Sequence, residues 1–172
     1  LWVGTYYGGV SVFSPESRIF KYYPANKERS DCLNFPFVSG IVKDKRDDLW
    51  ICTDGGGLNY MNHKTEIFRH LSTKDSGLVA DNMKSICYDK NKDKLYIGTY
   101  LSGLIAYDIP SGKFTKCFKS PKDRVLHHTV THVYMYGDKI VFSSSDGIYV
   151  FNEKTNEVTP LLCIKGVLAF VI

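Results

Sequence analysis

The residues of this chain whose types could do chemistry are three clustered histidines, five cysteines, a run of three glycines and a few tyrosines in turns. His128 and His132 stand at i and i+4, a spacing that puts both on one face of a strand, and His127 lies beside them. A metal site needs a third ligand in matching geometry, and the sequence nominates none, so neither a metal nor another cofactor is expected. Gly55-Gly56-Gly57 is no phosphate loop, because neither a strand-to-helix transition nor a lysine follows it. Cys32, Cys52, Cys87, Cys117 and Cys163 are an odd number without a CxxC pair, which reads as buried small hydrophobes. Cys52 and Cys87 both sit in apolar parts of predicted strands, and a disulfide between them stays open. Tyr6, Tyr7 and Tyr100 fall in predicted turns, where their rings would project from one end of a sheet. Tyr6, Asp54 and Tyr100 share one position of a repeat. No catalytic residue is nominated.

That repeat positions all of these residues. Leu49 to Phe68 reads LWICTDGGGLNYMNHKTEIF; Leu1 to Phe20 (LWVGTYYGGVSVFSPESRIF) and Leu95 to Phe114 (LYIGTYLSGLIAYDIPSGKF) align with it without a gap. An aromatic recurs at the second position (Trp2, Trp50, Tyr96), a threonine at the fifth (Thr5, Thr53, Thr99) and a glycine at the ninth (Gly9, Gly57, Gly103). A weaker copy starts at Ile140, with one residue deleted before Gly147. Within each copy, short β-rich apolar runs are separated by turn-formers such as Ser14 to Ser17, Asn62 to Thr65 and Asp108 to Gly112. One further strand precedes each later copy: Val38 to Val42, Met83 to Tyr88 and Thr129 to Met135. No helical period bounded by caps appears.

Four short antiparallel strands recurring every 46 to 48 residues predict an all-β chain of β-propeller blades, each a four-stranded meander. The blades are expected at about 1–23 (incomplete, without its inner strand), 34–71, 82–118 and 129–160, with 161–172 opening a following segment. That makes about three and a half blades, an incomplete ring, so the chain is expected to be a fragment whose sheet faces the rest of the propeller covers. The second-position aromatics should be core residues between blades, and losing Trp50 should cost about 3–5 kcal/mol. The apolar residues after the last glycine (Val10, Leu58, Leu104, Ile148) should be core as well. The links Tyr23 to Pro36, Ser72 to Asn82 and Cys117 to His128 are polar and expected at the surface.

Composition narrows the function classes. The 172 residues are 44% hydrophobic and 14% aromatic, which is globular. The net charge of +4 comes from 22 basic and 18 acidic residues mixed in turns such as Lys43 to Asp48 and Lys90 to Lys94. Those turns are read as solvated; no basic face forms, and nucleic acid is not an expected partner. The apolar stretch Val167 to Ile172 is far short of the ~20 residues a membrane helix needs.

Leu49-Trp50-Ile51, Thr53, Asp54, Gly56-Gly57-Leu58-Asn59 and Tyr60 resemble the two-component regulator propeller repeat, and Leu1 to Val10 and Leu95 to Leu104 follow the same pattern with substitutions. Val38 to Asp44 and Asp81 to Ile86 resemble that family's preceding strand. The resemblance covers nearly the whole chain. It departs at Cys52, where the family has glycine, at the Tyr6-Tyr7 and Tyr100-Leu101-Ser102 turns, and in the degenerate last copy.

The resemblance implies a piece of the periplasmic, ligand-sensing ectodomain of an inner-membrane hybrid two-component histidine kinase, as found in gut Bacteroidetes, that detects a carbohydrate breakdown product. Implied partners are the remaining blades of the propeller, a second copy of the sensor in a homodimer, and an oligosaccharide. The fragment itself would not be an enzyme; it carries no kinase or receiver motif. Tyr6, Tyr7 and Tyr100, with Asp54 as a polar neighbour, would be the sugar contacts, because sugars stack on exposed aromatic rings with polar groups beside them. The plainer reading of each tyrosine is a ring lying over a neighbouring blade. The alternatives to a sensor are a propeller serving only as a protein-interaction scaffold and, more remotely, a propeller lyase or hydrolase.

Overall fold

In the computed structural model, which describes residues 1–5, 7–14, 19–74, 76–117, 129–145 and 147–162, the alternating apolar pattern produces strands: fifteen of them, and no helix among the described residues. Correspondingly, no helix of those residues is long and apolar enough to cross a membrane. The chain divides into two compact units, Leu1–Met83 and Lys84–Ile172.

The first unit holds two antiparallel sheets. One has three strands in the order β1 (Trp2–Thr5), β2 (Gly9–Ser14), β3 (Ile19–Tyr23). The other has four, β4 (Val38–Lys43), β5 (Leu49–Thr53), β6 (Gly57–Met61) and β7 (Phe68–Leu71), again in sequence order. Side chains alternate across a strand, so Leu49 and Ile51 share one face of β5 and pack with Val10, Tyr23, Leu33, Met61 and Phe68. Trp2 joins this core half-buried and stacks on Tyr23, with ring centroids 5.8 Å apart. Gly4 lets the two sheets close up: a Cβ there would lie 2.5 Å from Val38 Cγ1.

The second unit repeats the plan. Its sheets are β8 (Met83–Asp89), β9 (Lys94–Thr99), β10 (Leu104–Asp108), β11 (Lys113–Lys116), and β12 (Val130–Tyr136), β13 (Lys139–Ser144), β14 (Gly147–Asn152), β15 (Glu157–Leu162). Its core joins Tyr96, Leu104 and Ala106 to Val130, Val133, Ile140, Phe142 and Phe151. Tyr96 stands where Trp2 stands, and Ile140 and Phe142 stand where Leu49 and Ile51 do. Gly98 takes the part of Gly4, with Val130 O 2.6 Å from where its Cβ would be.

Three expectations need correction. The links are not simply surface segments: Cys32, Leu33, Leu78 and Cys117 are buried. Leu33 is drawn into the core because Ala25 and Leu33 form a parallel bridge that folds the link back on itself. The charged turns are solvated through their basic residues and Asp47 but not through their other aspartates, since Asp44, Asp48, Asp89 and Asp93 are buried and accept backbone or side-chain hydrogen bonds. Ile148 is half-buried, the core place in that strand going to Tyr149 and Phe151. The disulfide left open between Cys52 and Cys87 is not formed: both are free buried thiols, as are Cys32 and Cys117, in line with the reading of the cysteines as small buried hydrophobes.

Candidate ligand-binding face

The turns that carry the candidate residues are held at their base by one device. Thr5, Thr53 and Thr99 each donate their hydroxyl to the carbonyl of the repeat's glycine, Gly9, Gly57 or Gly103, at 3.1, 3.0 and 2.7 Å. Those glycines have φ of 75°, 80° and 73°, a region side chains disfavour. At Gly57 a side chain is doubly excluded, since a Cβ would lie 2.4 Å from the Leu71 carbonyl oxygen. The shortened last copy lacks the clasp. Its Ser144 pairs with Gly147 as Thr53 pairs with Gly57, but the buried Ser144 hydroxyl has no hydrogen-bond partner among the described residues.

In the first unit, this turn is covered by the link preceding β4. Asn59, fully buried on β6, accepts from the Asn34 backbone N–H (3.1 Å) and donates to Asn34 Oδ1 (3.0 Å), while Asn34 Nδ2 donates to the Gly56 carbonyl. His70 Nε2–H donates to the Cys32 carbonyl at 2.8 Å, and Phe68 N–H to the Ser30 carbonyl at 2.8 Å. So pinned, the link lays Phe35 across Gly55, where a Cβ would be 2.8 Å from the ring. Phe35 meets Phe37 edge-on at 5.2 Å, and Phe37 meets Tyr7 edge-on at 4.4 Å. The outcome is a row of three aromatic rings ending in Tyr7, which is 73% exposed.

Asp54 is tied to the same row. Its backbone N–H donates to the Phe37 carbonyl at 2.8 Å, and its carboxylate accepts from Asn82 Nδ2 at 3.1 Å. Beyond Phe35 lies a cavity of ≈ 380 Å³ lined by residues that include Lys27, Asn34, Phe35, His70, Lys74 and Asp81. Asp81 braces its far wall: its carboxylate accepts from Thr73 N–H (2.8 Å) and Oγ1 (2.7 Å), and its carbonyl from Gly55 and Gly57 N–H.

Two of the sequence candidates, Tyr7 and Asp54, are thus brought together through Phe37. Tyr6 lies outside the described residues. Tyr100 belongs to the second unit, where it is half exposed beneath Lys84 Nζ, 5.4 Å from the ring centroid, beside Leu101 at φ 62°. Of the three histidines, His132 lies 3.5 Å from Ser143 Oγ, and His127 and His128 fall outside the described residues. Phe35, Phe37 and Asn34 escaped the sequence reading. Their signal was Asn59, a polar residue on an otherwise apolar strand, which when buried requires a partner.

At the opposite ends of the strands the polar residues serve the scaffold. Trp50 Nε1–H donates to Asp44 Oδ2 (3.0 Å), and Asp48 accepts from Tyr60 OH (2.6 Å) and His63 N–H (2.9 Å). Burial pushes the Asp48 carboxyl up, but these hydrogen bonds together hold it below the usual range. In the second unit Glu153 is likewise lifted by burial, yet ammonium groups of Lys92 (2.8 Å) and Lys94 (2.6 Å) bring it down to about 2. These are structural ion pairs joining neighbouring sheets within that unit, as Lys21 and Glu66 do in the first. Burial pushes the Cys87 thiol up to about 12, so it is no nucleophile at neutral pH.

No protein-family model matches the chain. Among solved structures, the extracellular domain assigned to hybrid two-component system BT3049 of B. thetaiotaomicron superposes with a TM-score of 0.79 over 94% of this chain, at 24% identity. That of BT4673 from the same organism, described both as a one-component and as a hybrid two-component system, superposes at 0.73, at 16–18% identity. The sheets are β-propeller blades. In sequence, the propeller chain is 23% identical over 155 residues to a BTB/POZ-domain and WD-repeat protein, R154, of Acanthamoeba polyphaga mimivirus. It is 26% identical over 118 residues to the catalytic subunit PAN2 of the PAN2-PAN3 deadenylation complex of Eremothecium gossypii. The chain spans 30% and 9% of those two proteins and 22% of the BT3049 domain.

Proposed function

We propose that these blades belong to the extracytoplasmic, ligand-sensing propeller of a hybrid two-component sensor kinase of the inner membrane, and that the ligand is an oligosaccharide. The observation that carries the reading is the superposition on an extracellular domain of that kind along almost the whole chain, in company with the repeat motif around Trp50. The row Tyr7, Phe37, Phe35 supports a direct part in binding, because flat apolar rings flanked by amide and carboxylate groups match the two faces of a sugar: C–H groups on one side, hydroxyls around the rim. Ligand binding would shift the sensor between two states by its differential affinity for them. A homodimer and the remaining blades complete the proposed assembly. The runner-up, a scaffold propeller that binds only proteins, draws on the sequence likeness to a WD-repeat protein.

The open reading frame on either side of residues 1–172 separates the two. Further repeats with a membrane span and kinase downstream are expected; a stop codon shortly after Ile172 with no kinase would overturn the sensor reading. Within a sensor, Tyr7→Ala, Tyr6→Ala and Tyr100→Ala should weaken glycan binding by the whole ectodomain, and the changes at the exposed Tyr7 and Tyr100 should do so without lowering its melting temperature. Unchanged binding in all three would reduce these blades to scaffold.

A further inference from the structure

We infer that the cavity beside Phe35 is a subsite for an acidic saccharide ring, one bearing a carboxylate or a sulfate ester; the inference rests on the sugar-sensing reading and names the substrate class. The argument turns on which lining groups are already used. Asn34 is held through both side-chain atoms, by Asn59 and by Gly56. The Asp81 carboxylate is hydrogen-bonded to Thr73 through both oxygens. His70 Nε2 is engaged by the Cys32 carbonyl. Those groups build the wall and hold its shape. Lys27 and Lys74 are different: both are exposed, both line the cavity, and neither ammonium group has an ion-pair partner among the described residues.

The cavity therefore offers a ligand one aromatic wall and two uncommitted positive charges, against a single carboxylate already occupied within the fold. Its ≈ 380 Å³ lies within the span of small-ligand sites, roughly 300–1,000 Å³. Phe35 is backed by the Gly55 backbone, so the ring is fixed before a ligand arrives and little ordering is left to be done on binding. A neutral sugar would use the ring and leave both lysines idle. An acidic one uses all three, and the charge-assisted hydrogen bonds to an anion are the stronger kind.

The test is an array of uronate-containing and sulfated oligosaccharides, each printed beside its carboxyl-reduced or desulfated counterpart and probed with the whole ectodomain that contains these blades, its K27Q/K74Q variant and its Phe35→Leu variant. Acidic glycans should bind, and their neutral counterparts should bind at least about fivefold more weakly. K27Q/K74Q should lose that preference with an unchanged melting temperature, since both side chains are exposed, while Phe35→Leu should weaken acidic and neutral glycans alike. Loss on carboxyl reduction but not on desulfation identifies a uronate, and the converse a sulfate ester. Equal binding of neutral counterparts, or a preference that survives K27Q/K74Q, overturns the subsite and leaves the sugar-sensing reading standing. Binding of no glycan of either kind also overturns the subsite, and the sugar-sensing reading is then decided by the flanking reading frame and by an array of unrelated neutral glycans, on which no binding would overturn it.

Discussion

The two units follow one plan with different fillings. In each, a second-position aromatic joins a core cluster that takes an aliphatic or aromatic pair from the next sheet, Trp2 with Leu49 and Ile51, Tyr96 with Ile140 and Phe142. In each, a glycine lets the sheets approach and a lysine-glutamate pair ties them at the rim. The units part company at their turns. The first has a folded link that covers the turn with aromatics; in the second, Tyr100 and Leu101 stand exposed. Since the cores match and the turns do not, the cores account for stability and the turns for whatever is specific to each unit.

The comparison breaks first in the core. Tyr96→Ala, at a fully buried site, should cost about 3–5 kcal/mol, and Trp2→Ala, at a half-buried one, about 1–2 kcal/mol, read as shifts of the denaturation midpoint in urea. Equal effects would mean that burial at this position does not set its contribution. Gly57→Ala should cost about 2 kcal/mol or more, from the left-handed backbone and the contact with the Leu71 carbonyl together.

Acid should weaken the second unit through Glu153. Its carboxyl titrates near 2 in the folded chain, below its ordinary value of 4.5, so the stabilisation is complete above about pH 4.5 and is lost as pH falls toward 2. With solvent screening the loss is on the order of 1–2 kcal/mol, and a pH series of melting curves should show it vanish in Glu153→Gln. The smallest contrast is the sharpest. Thr53→Val removes a satisfied buried hydroxyl and should cost about 1 kcal/mol, while Ser144→Ala removes an unsatisfied one and should be neutral or slightly stabilising.

Much of this scaffold is legible in the sequence, because strands announce themselves by alternation and a repeat multiplies the signal. Trp50, Leu58 and Thr53 can be placed from their spacing alone. The aromatic row cannot, since Phe35 and Phe37 flank Pro36 in a link without periodicity. What orients them is a pairing of Asn34 with Asn59, 25 residues away. Local pattern carries no record of such a contact. The buried aspartates were misread for a related reason: composition shows that a turn is charged, but not that Tyr60 and His63 reach over to cover Asp48. The tyrosines of the turns could be located by sequence, whereas the cavity beside Phe35 exists only once the link has folded back.

The threonine clasp separates the foot of each turn from its tip. With Thr53 and Gly57 fixed, as with Thr99 and Gly103, the letters between them differ with what lies over each turn: Asp54-Gly55-Gly56 beneath Phe35 in one, the exposed Tyr100-Leu101 and Ser102 in the other. Such a frame lets drift or recombination rewrite a recognition surface without renegotiating the fold beneath it. At the exposed turn between Thr99 and Gly103 it equally marks where an engineer could graft a randomised tripeptide and expect the blade to survive.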